Sequence, residues 1–237
     1  MKPTTVTQLN TLNREFYARF AGSFAASRAR TEPGLERVLA EVHPGDRLLD
    51  LGCGHGRIAR LVPGGTTYTG MDYAAEMLEI ARQQAEAAGN PARFVVGDLL
   101  AETWSDAVAG PFAWVVLRAV LHHIPGYANR LNVIRRAARR LAPHGQIVMA
   151  NWQFLEIERL RKRLLPWERI GLTEADVEPG DYLLDWQRDG YALRYVHLVD
   201  EAETARLARD AGLALRESFR ADGHNNRLTL YAMMGTS

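Results

Sequence analysis

The sequence predicts an α/β fold in which an open, mostly parallel sheet is covered by helices on both faces. Strand-like apolar runs alternate with helical patterns over residues 46–150, and this alternation is typical of parallel strands joined by right-handed crossovers. The first run, 48–51, breaks into three alternating glycines, Gly52, Gly54 and Gly56. Because glycine has no Cβ, such a turn lets a ligand approach the backbone at the carboxyl edge of the sheet.

The composition excludes several classes of protein. The chain has 47% hydrophobic and 24% charged residues and a formal net charge of +1, which is typical of a globular domain and does not demand a polyanionic partner. Cys53 is the only cysteine, which excludes an internal disulfide. The first residues lack a signal-peptide pattern and no apolar run approaches the ~20 residues that cross a bilayer, so we expect a cytoplasmic protein with no membrane partner. The seven histidines lack companion ligands at useful spacing, so we expect no metal site.

Two helices are predicted ahead of the first strand. Residues 1–12 are polar and are expected to fray. Aromatic residues then recur at helical spacing, and we expect Phe16 and Phe20 to pack on the domain. A second helix begins near Pro33. These leading helices, 13–45, are placed to cover a ligand at the sheet edge.

Acidic residues accompany the ends of the first three core strands. Asp50 lies in the first strand, Asp72 ends a second run over 66–71, and Asp98 follows a third over 93–96. A fourth strand, 112–117, leads into 118–123, and a helix over 127–141 precedes a fifth strand. The carboxyl ends of parallel strands share one edge, so we expect these acids to border one site.

The remainder is predicted as an insertion followed by a closing unit. Residues 152–165 have a basic helical pattern, an acidic, turn-rich piece follows, and 191–198 has a strand-like composition. A helix over 200–211 and strands over 213–220 and 228–234 then close the sheet as an antiparallel hairpin. We therefore predict one domain over 1–237, with a core at 46–150, an insertion or lid at 152–198 and a closing helix and hairpin at 199–237.

The glycine spacing indicates the kind of ligand. Gly-x-Gly-x-Gly is one residue shorter than the dinucleotide fingerprint, which argues against a nicotinamide dehydrogenase. Asp50 stands two places before the first glycine, where a carboxylate repels a pyrophosphate and favours a cation such as a sulfonium. Asp50, the three glycines and the strands and helices that follow them resemble the class I S-adenosylmethionine (SAM) methyltransferases. That resemblance implies a Rossmann-like, doubly wound seven-stranded sheet, SAM as cofactor and S-adenosylhomocysteine (SAH) as product.

The same resemblance assigns the cofactor contacts. Asp50 orders the glycine loop, the backbone of Gly52, Gly54 and Gly56 meets the methionine moiety, and Asp72 meets the ribose. Asp98 meets the adenine amino group. The residues expected to sandwich the adenine, or else to pack in the core, are Tyr73, Met77 and Leu99.

The flanks resemble a narrower group, the eukaryotic tRNA wobble-uridine carboxymethyl methyltransferases. Its N-terminal spacing is matched by Tyr17, Phe24, Arg28 and Pro33. Its later segments are matched by 119–123, 149–153, Asp185-Trp186, 194–197 and an asparagine at 225 or 226. Glu32 stands where the group has a tryptophan, and Val196 where it has a tyrosine. The resemblance implies a carboxylate on a modified uridine as the methyl acceptor.

The acceptor decides which side chains are needed. A hydroxyl or amine requires a base, for which His122 is the candidate, whereas His123 is expected to cap or pack. A carboxylate is already ionised and requires an arginine fork, for which Arg28, Arg118 and Arg194 are candidates. The further residues predicted to bind the substrate are Tyr17, Trp186, Tyr195 and His197. A small-molecule acceptor and a non-catalytic SAM-binding scaffold are the alternatives, and the sequence indicates no particular activating subunit.

Overall fold

The computed structural model describes residues 1–26, 32–187, 190–223 and 225–236. Its α-helices are α1 (Pro3–Ala26), α2 (Pro33–Leu39), α3 (Arg57–Leu61), α4 (Ala75–Ala87), α5 (Tyr127–Ala138), α6 (Glu158–Arg161) and α7 (Glu201–Asp210). Its strands are β1 (Arg47–Leu51), β2 (Thr67–Asp72), β3 (Ala92–Val96), β4 (Phe112–Arg118), β5 (Leu141–Trp152), β6 (Leu164–Leu165), β7 (Asp181–Trp186), β8 (Ala192–His197), β9 (Ala214–Ala221) and β10 (Thr229–Gly235). In this part of the chain no helix is both long and apolar enough to cross a bilayer.

A seven-stranded sheet has the order β3-β2-β1-β4-β5-β10-β9. β1 to β5 pair in parallel, and β10 runs antiparallel to both β5 and β9. The chain winds outward from β1 to β3 and then returns to place β4 on the other side of β1. This switch leaves a crevice above the carboxyl ends of β1 and β4, where ligands bind in such sheets. The predicted doubly wound sheet and closing hairpin are confirmed.

Helices cover both faces of the sheet because successive strand residues point in opposite directions. Leu48 and Leu49 are both fully buried, but they belong to different hydrophobic clusters. Leu49 packs with residues of α5 and α7, whereas Leu48 packs with residues of α2 and α3. A strand buried on both faces reads as a continuous apolar run, as predicted for this segment.

The insertion contains a second sheet, in which β7 pairs antiparallel with both β6 and β8. Two expectations were wrong here. The helical pattern over 152–165 forms only the short α6, because β5 extends through Trp152 and β6 pairs with β7. Residues 3–12 belong to α1 and do not fray, since fully buried Leu9 packs in one cluster with residues of the second sheet.

Candidate functional site

A cleft lies above the carboxyl ends of β1 to β4. It encloses about 1060 Å³ of empty space, part of it open to solvent, and is lined by α1 and by the segments that follow these four strands. The cleft lies at the carboxyl edge of the strands, where ligands bind in open α/β sheets.

The glycine loop after β1 forms the floor of the cleft. Gly52 has φ +71°, and a Cβ there would lie 2.4 Å from Cγ2 of Val120. At Gly54, with φ +54°, the nearest atom to such a Cβ would be Cε of Met77 at 3.5 Å, so a side chain would fill the cleft itself. The loop therefore needs glycine for its conformation and for the space above it.

The three predicted acids follow this edge, in different environments. Asp50 lies beneath the loop, accepts a 2.7 Å hydrogen bond from Tyr68, and has its pKa raised to about 7 by burial. Asp72 accepts hydrogen bonds from the backbone N–H groups of Gly54 (2.9 Å) and Ala74 (3.0 Å), and burial raises its pKa as well. Of these two, only Asp72 lines the cleft.

Asp98 lines the cleft at the β3 end and meets a residue that the sequence did not indicate. Its carboxylate forms a 2.5 Å salt bridge with Arg14 of α1 and accepts a hydrogen bond from the backbone of Leu100. The Arg14 guanidinium also lies 5.2 Å from the ring centroid of Tyr73. α1 therefore closes the cleft at this end.

The lining fits an adenosyl group. Tyr73 Oη is buried without a hydrogen-bond partner among the described residues, and Met77 and Leu99 add apolar surface beside it. A cleft lined by carboxylates, an unsatisfied hydroxyl and apolar side chains suits a ligand with ribose hydroxyls and an aromatic base. These cofactor contacts are not tested by a bound ligand and stay predictions.

Comparisons with known proteins agree with this geometry. Residues 48–145 match the family described as a methyltransferase domain. A SAM-dependent methyltransferase from Methanosarcina mazei superposes with a TM-score of 0.65 at 20% identity, covering 84% of this chain and 96% of that one. Residues 48–145 are therefore a methyltransferase domain, and the chain has the fold of the SAM-dependent methyltransferases, which supports SAM as its cofactor.

Two curated relatives differ in what their names say. A probable tRNA methyltransferase 9B from Bos taurus is 27% identical over 169 residues, which are 70% of this chain and 35% of that protein. A ubiquinone biosynthesis O-methyltransferase from Thiobacillus denitrificans is 29% identical over 174 residues, which are 73% of this chain and 66% of that protein. The methyltransferase thus spans about a third of the length of the tRNA methyltransferase relative.

The histidine pair lies on the loop after β4, beginning at Ala119, a non-glycine residue with φ +58°. His123 lines the cleft, contrary to the expectation that it only caps or packs. His122 is 2% exposed and is not part of the described lining; its ring centroid lies 4.2 Å from that of His123 and 6.3 Å from that of Trp152. The structure therefore presents His123 to the cofactor cleft, and the base role of His122 stays a prediction.

The tautomer of His123 follows from its neighbours. Nδ1 lies 3.2 Å from the carbonyl oxygen of Tyr195, which can only accept, and 3.5 Å from Nδ2 of Asn13, which can only donate; we assign the proton to Nδ1 on the shorter contact. Nε2 of the neutral ring then accepts the hydroxyl proton of Tyr17 at 2.6 Å. Asn13, another α1 residue that the sequence did not indicate, fixes this arrangement by hydrogen bonds with the backbone of Tyr195 and with that of His123.

Arg194 lies behind Tyr17 in an aromatic cage. Its guanidinium carbon is 5.0 Å from the ring centroid of Trp152, 5.4 Å from Phe16 and 5.6 Å from Trp186. Burial lowers its pKa, and a hydrogen bond with Tyr17 opposes that shift. Among the described residues Arg194 forms no salt bridge, and its buried Nε has no partner.

The other two candidate arginines differ from Arg194. Arg118 lines the cleft, but Nε donates to Glu32 at 2.6 Å and Nη2 donates to the other oxygen of the same carboxylate. Glu32, which stands where the wobble-uridine group has a tryptophan, thus accepts both of these hydrogen bonds from the Arg118 guanidinium. Arg28 lies outside the described residues. The substrate roles of both arginines stay predictions.

The side chains of Tyr195 and His197 belong to a buried ionic network and are not among the described residues that line the cleft. Tyr195 Oη donates to Asp181 at 2.7 Å, and His197 bridges Asp181 and Glu203, each at 2.7 Å. Arg130 of α5 joins the network through Glu203. The network fastens β7 and β8 to α5 and α7, and the predicted substrate contacts of both residues stay predictions.

Part of this network has the composition of a metal site. Ligand atoms of Glu178, Asp181 and His197 lie within 4.8 Å of one another. Each of these side chains is already hydrogen-bonded, and the guanidinium of Arg130 lies 3.0 Å from Glu178. The charge of Arg130 therefore supplies the cation that these carboxylates require. The grouping escaped sequence analysis because its members come from two different strands and a loop.

Proposed function

We propose that this protein is a carboxyl methyltransferase whose acceptor is a carboxylate on a modified wobble uridine of tRNA. The observation that carries the proposal is the caged guanidinium of Arg194, which has no carboxylate partner among the described residues. We propose as well that residues 1–237 act as one methyltransferase domain, with 152–198 as the lid that holds the acceptor.

A buried cation of this kind favours an anionic acceptor. Taking a guanidinium out of water is costly unless an opposite charge compensates it. Arg194 is 4% exposed, and the carboxylate of Asp185 attracts it only from beyond salt-bridge distance. Tyr17 connects the guanidinium to the cleft, because it bonds to Arg194 and also lines the cavity. An acceptor carboxylate beside Tyr17 supplies the missing charge.

The main contribution of the chain's own residues is to position the acceptor relative to the methyl donor. When bound, SAM supplies an electrophilic methyl group on a sulfonium. Arg194 and Tyr17 orient the acceptor oxygen, while α1 covers the cleft at the Asp98 end. Such positioning removes roughly 7–11 kcal/mol of barrier in favourable cases. A carboxyl group with a pKa near ~4 is already ionised at neutral pH, so no base is required.

tRNA as the bearer of that carboxylate is supported by two observations. Relatives named probable tRNA methyltransferase 9B occur in Bos taurus and in Homo sapiens, and the flanking segments resemble the tRNA wobble-uridine carboxymethyl methyltransferases. Cationic side chains are also exposed on and next to α6 of the insertion, namely Arg159, Arg161 and Lys162. Such a surface attracts a phosphate backbone without sequence preference.

A second candidate function is methylation of a hydroxyl on a small molecule. The Tyr17–His123 pair favours it, because a tyrosine that gives its proton to a histidine can itself accept one from a hydroxyl acceptor. The relatives named ubiquinone biosynthesis O-methyltransferase point in the same direction. In this case the pair replaces the predicted base His122.

The deciding experiment is transfer from methyl-tritiated SAM to three separate pools: tRNA, small carboxylic acids and small phenols. We expect label in tRNA that mild alkali releases as methanol, since methyl esters hydrolyse and methyl ethers do not. If alkali-labile label appeared only in the small acids, the acceptor group would be a carboxylate as proposed, but tRNA would be excluded as the molecule that carries it. Alkali-stable label in phenols would establish the second candidate. SAH binding without transfer to any pool would indicate a non-catalytic scaffold.

A further inference from the structure

Three arginines lie on α6 and just after it, at the start of the insertion. Leu160 is the buried residue of this short helix, whereas Arg159 and Arg161 are exposed and Arg163 is half-buried. In the part of the chain that the structure describes, the side chains of these three arginines have no salt-bridge or hydrogen-bond partner. Their guanidiniums are therefore available to a ligand from outside the protein.

The acids of the same segment are already paired with other cations. Glu158 forms a 2.7 Å salt bridge with Lys162, and Glu156 forms a 2.9 Å salt bridge with Arg220. Neither carboxylate therefore offsets the charge of the three arginines, and the segment presents a net positive surface.

This surface lies beside the Arg194 cage. β5 ends at Trp152 on the carboxyl edge of the sheet, the edge that carries the cleft, and α6 follows it. Leu160 belongs to one hydrophobic cluster with Leu184 of β7, and Trp152 packs against the same cluster. The ring centroid of Trp152 also lies 5.0 Å from the guanidinium carbon of Arg194. A wall of the cage thus helps to hold α6 in place.

Arg163 extends the positive charge from α6 to the cage. It precedes Leu164 of β6, which pairs with Leu184 of β7, and Leu184 pairs in turn with Arg194 of β8. Burial lowers the pKa of Arg194, and the charge of Arg163 lowers it further. Two guanidiniums that repel each other at the mouth of a cage favour an anion between or beside them.

The arginines at the end of α5 differ from those of α6. Arg135 donates to the carbonyl oxygen of Asp210 at 2.8 Å, and Arg140 forms a 3.1 Å salt bridge with Asp106. α5 leads back to the start of β5, so Arg139, which follows it, lies at the edge of the sheet opposite the cleft. The two arginine-rich segments are therefore not equivalent surfaces.

We propose that Arg159, Arg161 and Arg163 bind the backbone phosphates of a single-stranded RNA segment and so deliver the acceptor nucleotide to the Arg194 cage. Proteins bind single-stranded nucleic acid with cations that track the backbone and aromatic rings that meet the bases, and both are present here. The role of this surface rests on the proposed function, in which RNA carries the acceptor carboxylate. What it adds is the place on the insertion where that RNA is held.

Fluorescence anisotropy with a labelled RNA stem-loop tests the surface without any methyl transfer. Each phosphate contact to a single strand contributes about 0.7 to the slope of log Kd against log salt concentration. Arg159→Met/Arg161→Met should therefore lower this slope by about 1.4 and weaken binding by roughly 10-fold or more at ~0.1 M salt. Adding Arg163→Met should lower the slope by about 0.7 further. SAH affinity by calorimetry and the circular dichroism spectrum should not change.

Arg93→Met/Arg139→Met is the matched control. It removes the same number of charges, and both arginines are exposed at the opposite edge of the sheet, near the start of β3 and just before β5. This variant should keep the wild-type slope. A wild-type protein that bound no stem-loop, or equal slopes in the two double variants, would overturn the surface.

The proposed function fails in a different way. Loss of the surface would not affect a carboxylate as the acceptor group, because methyl transfer to small acids is measured without RNA. RNA binding that depends on Arg159 and Arg161, with no alkali-labile label in any pool, would support the surface and refute carboxyl methylation.

Discussion

The hydroxyl of Tyr17 lies 2.6 Å from Nε2 of His123 and also hydrogen-bonds to Arg194. One oxygen atom thus joins the histidine that faces the cofactor cleft to the caged cation behind it. This hydroxyl can help to hold a carboxylate or can receive a proton from a hydroxyl, and the two roles predict different losses when it is removed.

Tyr17→Phe distinguishes these roles. If Tyr17 only orients a carboxylate, loss of one hydrogen bond worth about 1 kcal/mol lowers kcat/KM by about 5-fold, with an unchanged pH profile. If it is part of a base, the loss is about 100-fold or more and the pH dependence changes. We expect the smaller loss, measured as initial rates of methyl transfer. Tyr191→Phe is the control, because Tyr191 is 55% exposed.

Arg194→Met should act mainly on the acceptor. Removing a charged hydrogen-bonding group costs about 1.5–3 kcal/mol, so we expect kcat/KM for the acceptor to fall by about 10- to 100-fold. SAH affinity should change little, since Arg194 is not among the described residues that line the cofactor cleft. Arg139→Met, at the exposed C-cap of α5, is the control. Unchanged acceptor kinetics in a folded Arg194→Met protein would refute the carboxylate site.

Asp50 should make stability depend on pH. Burial raises its pKa from 3.8 to about 7, so between these values the folded state binds a proton that the unfolded chain has released. Stability contributed by this proton is complete below the unfolded pKa and is lost as pH rises to about 7. The amide introduced by Asp50→Asn cannot titrate, so Tm of this variant should vary less than that of wild type across the same window. Parallel Tm curves for the two proteins would contradict the shifted pKa.

The same carboxyl should distinguish SAM from SAH. Ionised Asp50 attracts a sulfonium but not a neutral thioether. The ratio of SAM affinity to SAH affinity should therefore rise as pH passes through about 7, the pKa of Asp50 in the folded protein. Calorimetry at several pH values measures this ratio. It should stay flat in Asp50→Asn, and a rise of equal size in both proteins would assign the effect to another group.

Gly52→Ala should abolish SAH binding. The new methyl group would meet Val120 at 2.4 Å in a backbone with φ +71°, so the loop must move. Gly212→Ala is a matched control, since Gly212 has φ +74° but open space around its Cβ position. It should cost about 1–2 kcal/mol of stability and leave SAH affinity unchanged. Normal SAH affinity in Gly52→Ala would show that the loop does not require glycine there.

The seven-stranded sheet was predictable because residues close together in the sequence are enough to identify its core strands. Each core strand is an apolar run, and Asp50, Asp72 and Asp98 stand within or just after three of them. The second sheet was missed in part because β7 carries polar residues at Asp181 and Asp185 and follows a Pro-Gly turn. Its pairing with β8, not its composition, makes it a strand.

Contacts between distant segments explain the remaining differences. The α1 residues that border the cleft, Asn13 and Arg14, have polar side chains that are unremarkable in sequence. Asn13 acquires its role from Tyr195, 182 residues away, and Arg14 from Asp98. One signal was available: Asn10, Asn13, Arg14 and Tyr17 share one face of a helix by their spacing.

The two halves of the methyltransferase are built from different parts of the chain, and this has an engineering consequence. Loops after β1 to β3 carry most of the predicted contacts to the methyl donor, whereas α1 and the antiparallel sheet of β6 to β8 supply Tyr17 and Arg194. Because Leu9 and Phe16 pack α1 onto that antiparallel unit, the two must be transplanted together. A chimaera that exchanges both against the corresponding pieces of a relative should inherit the relative's choice of molecule to methylate while keeping its own affinity for SAH.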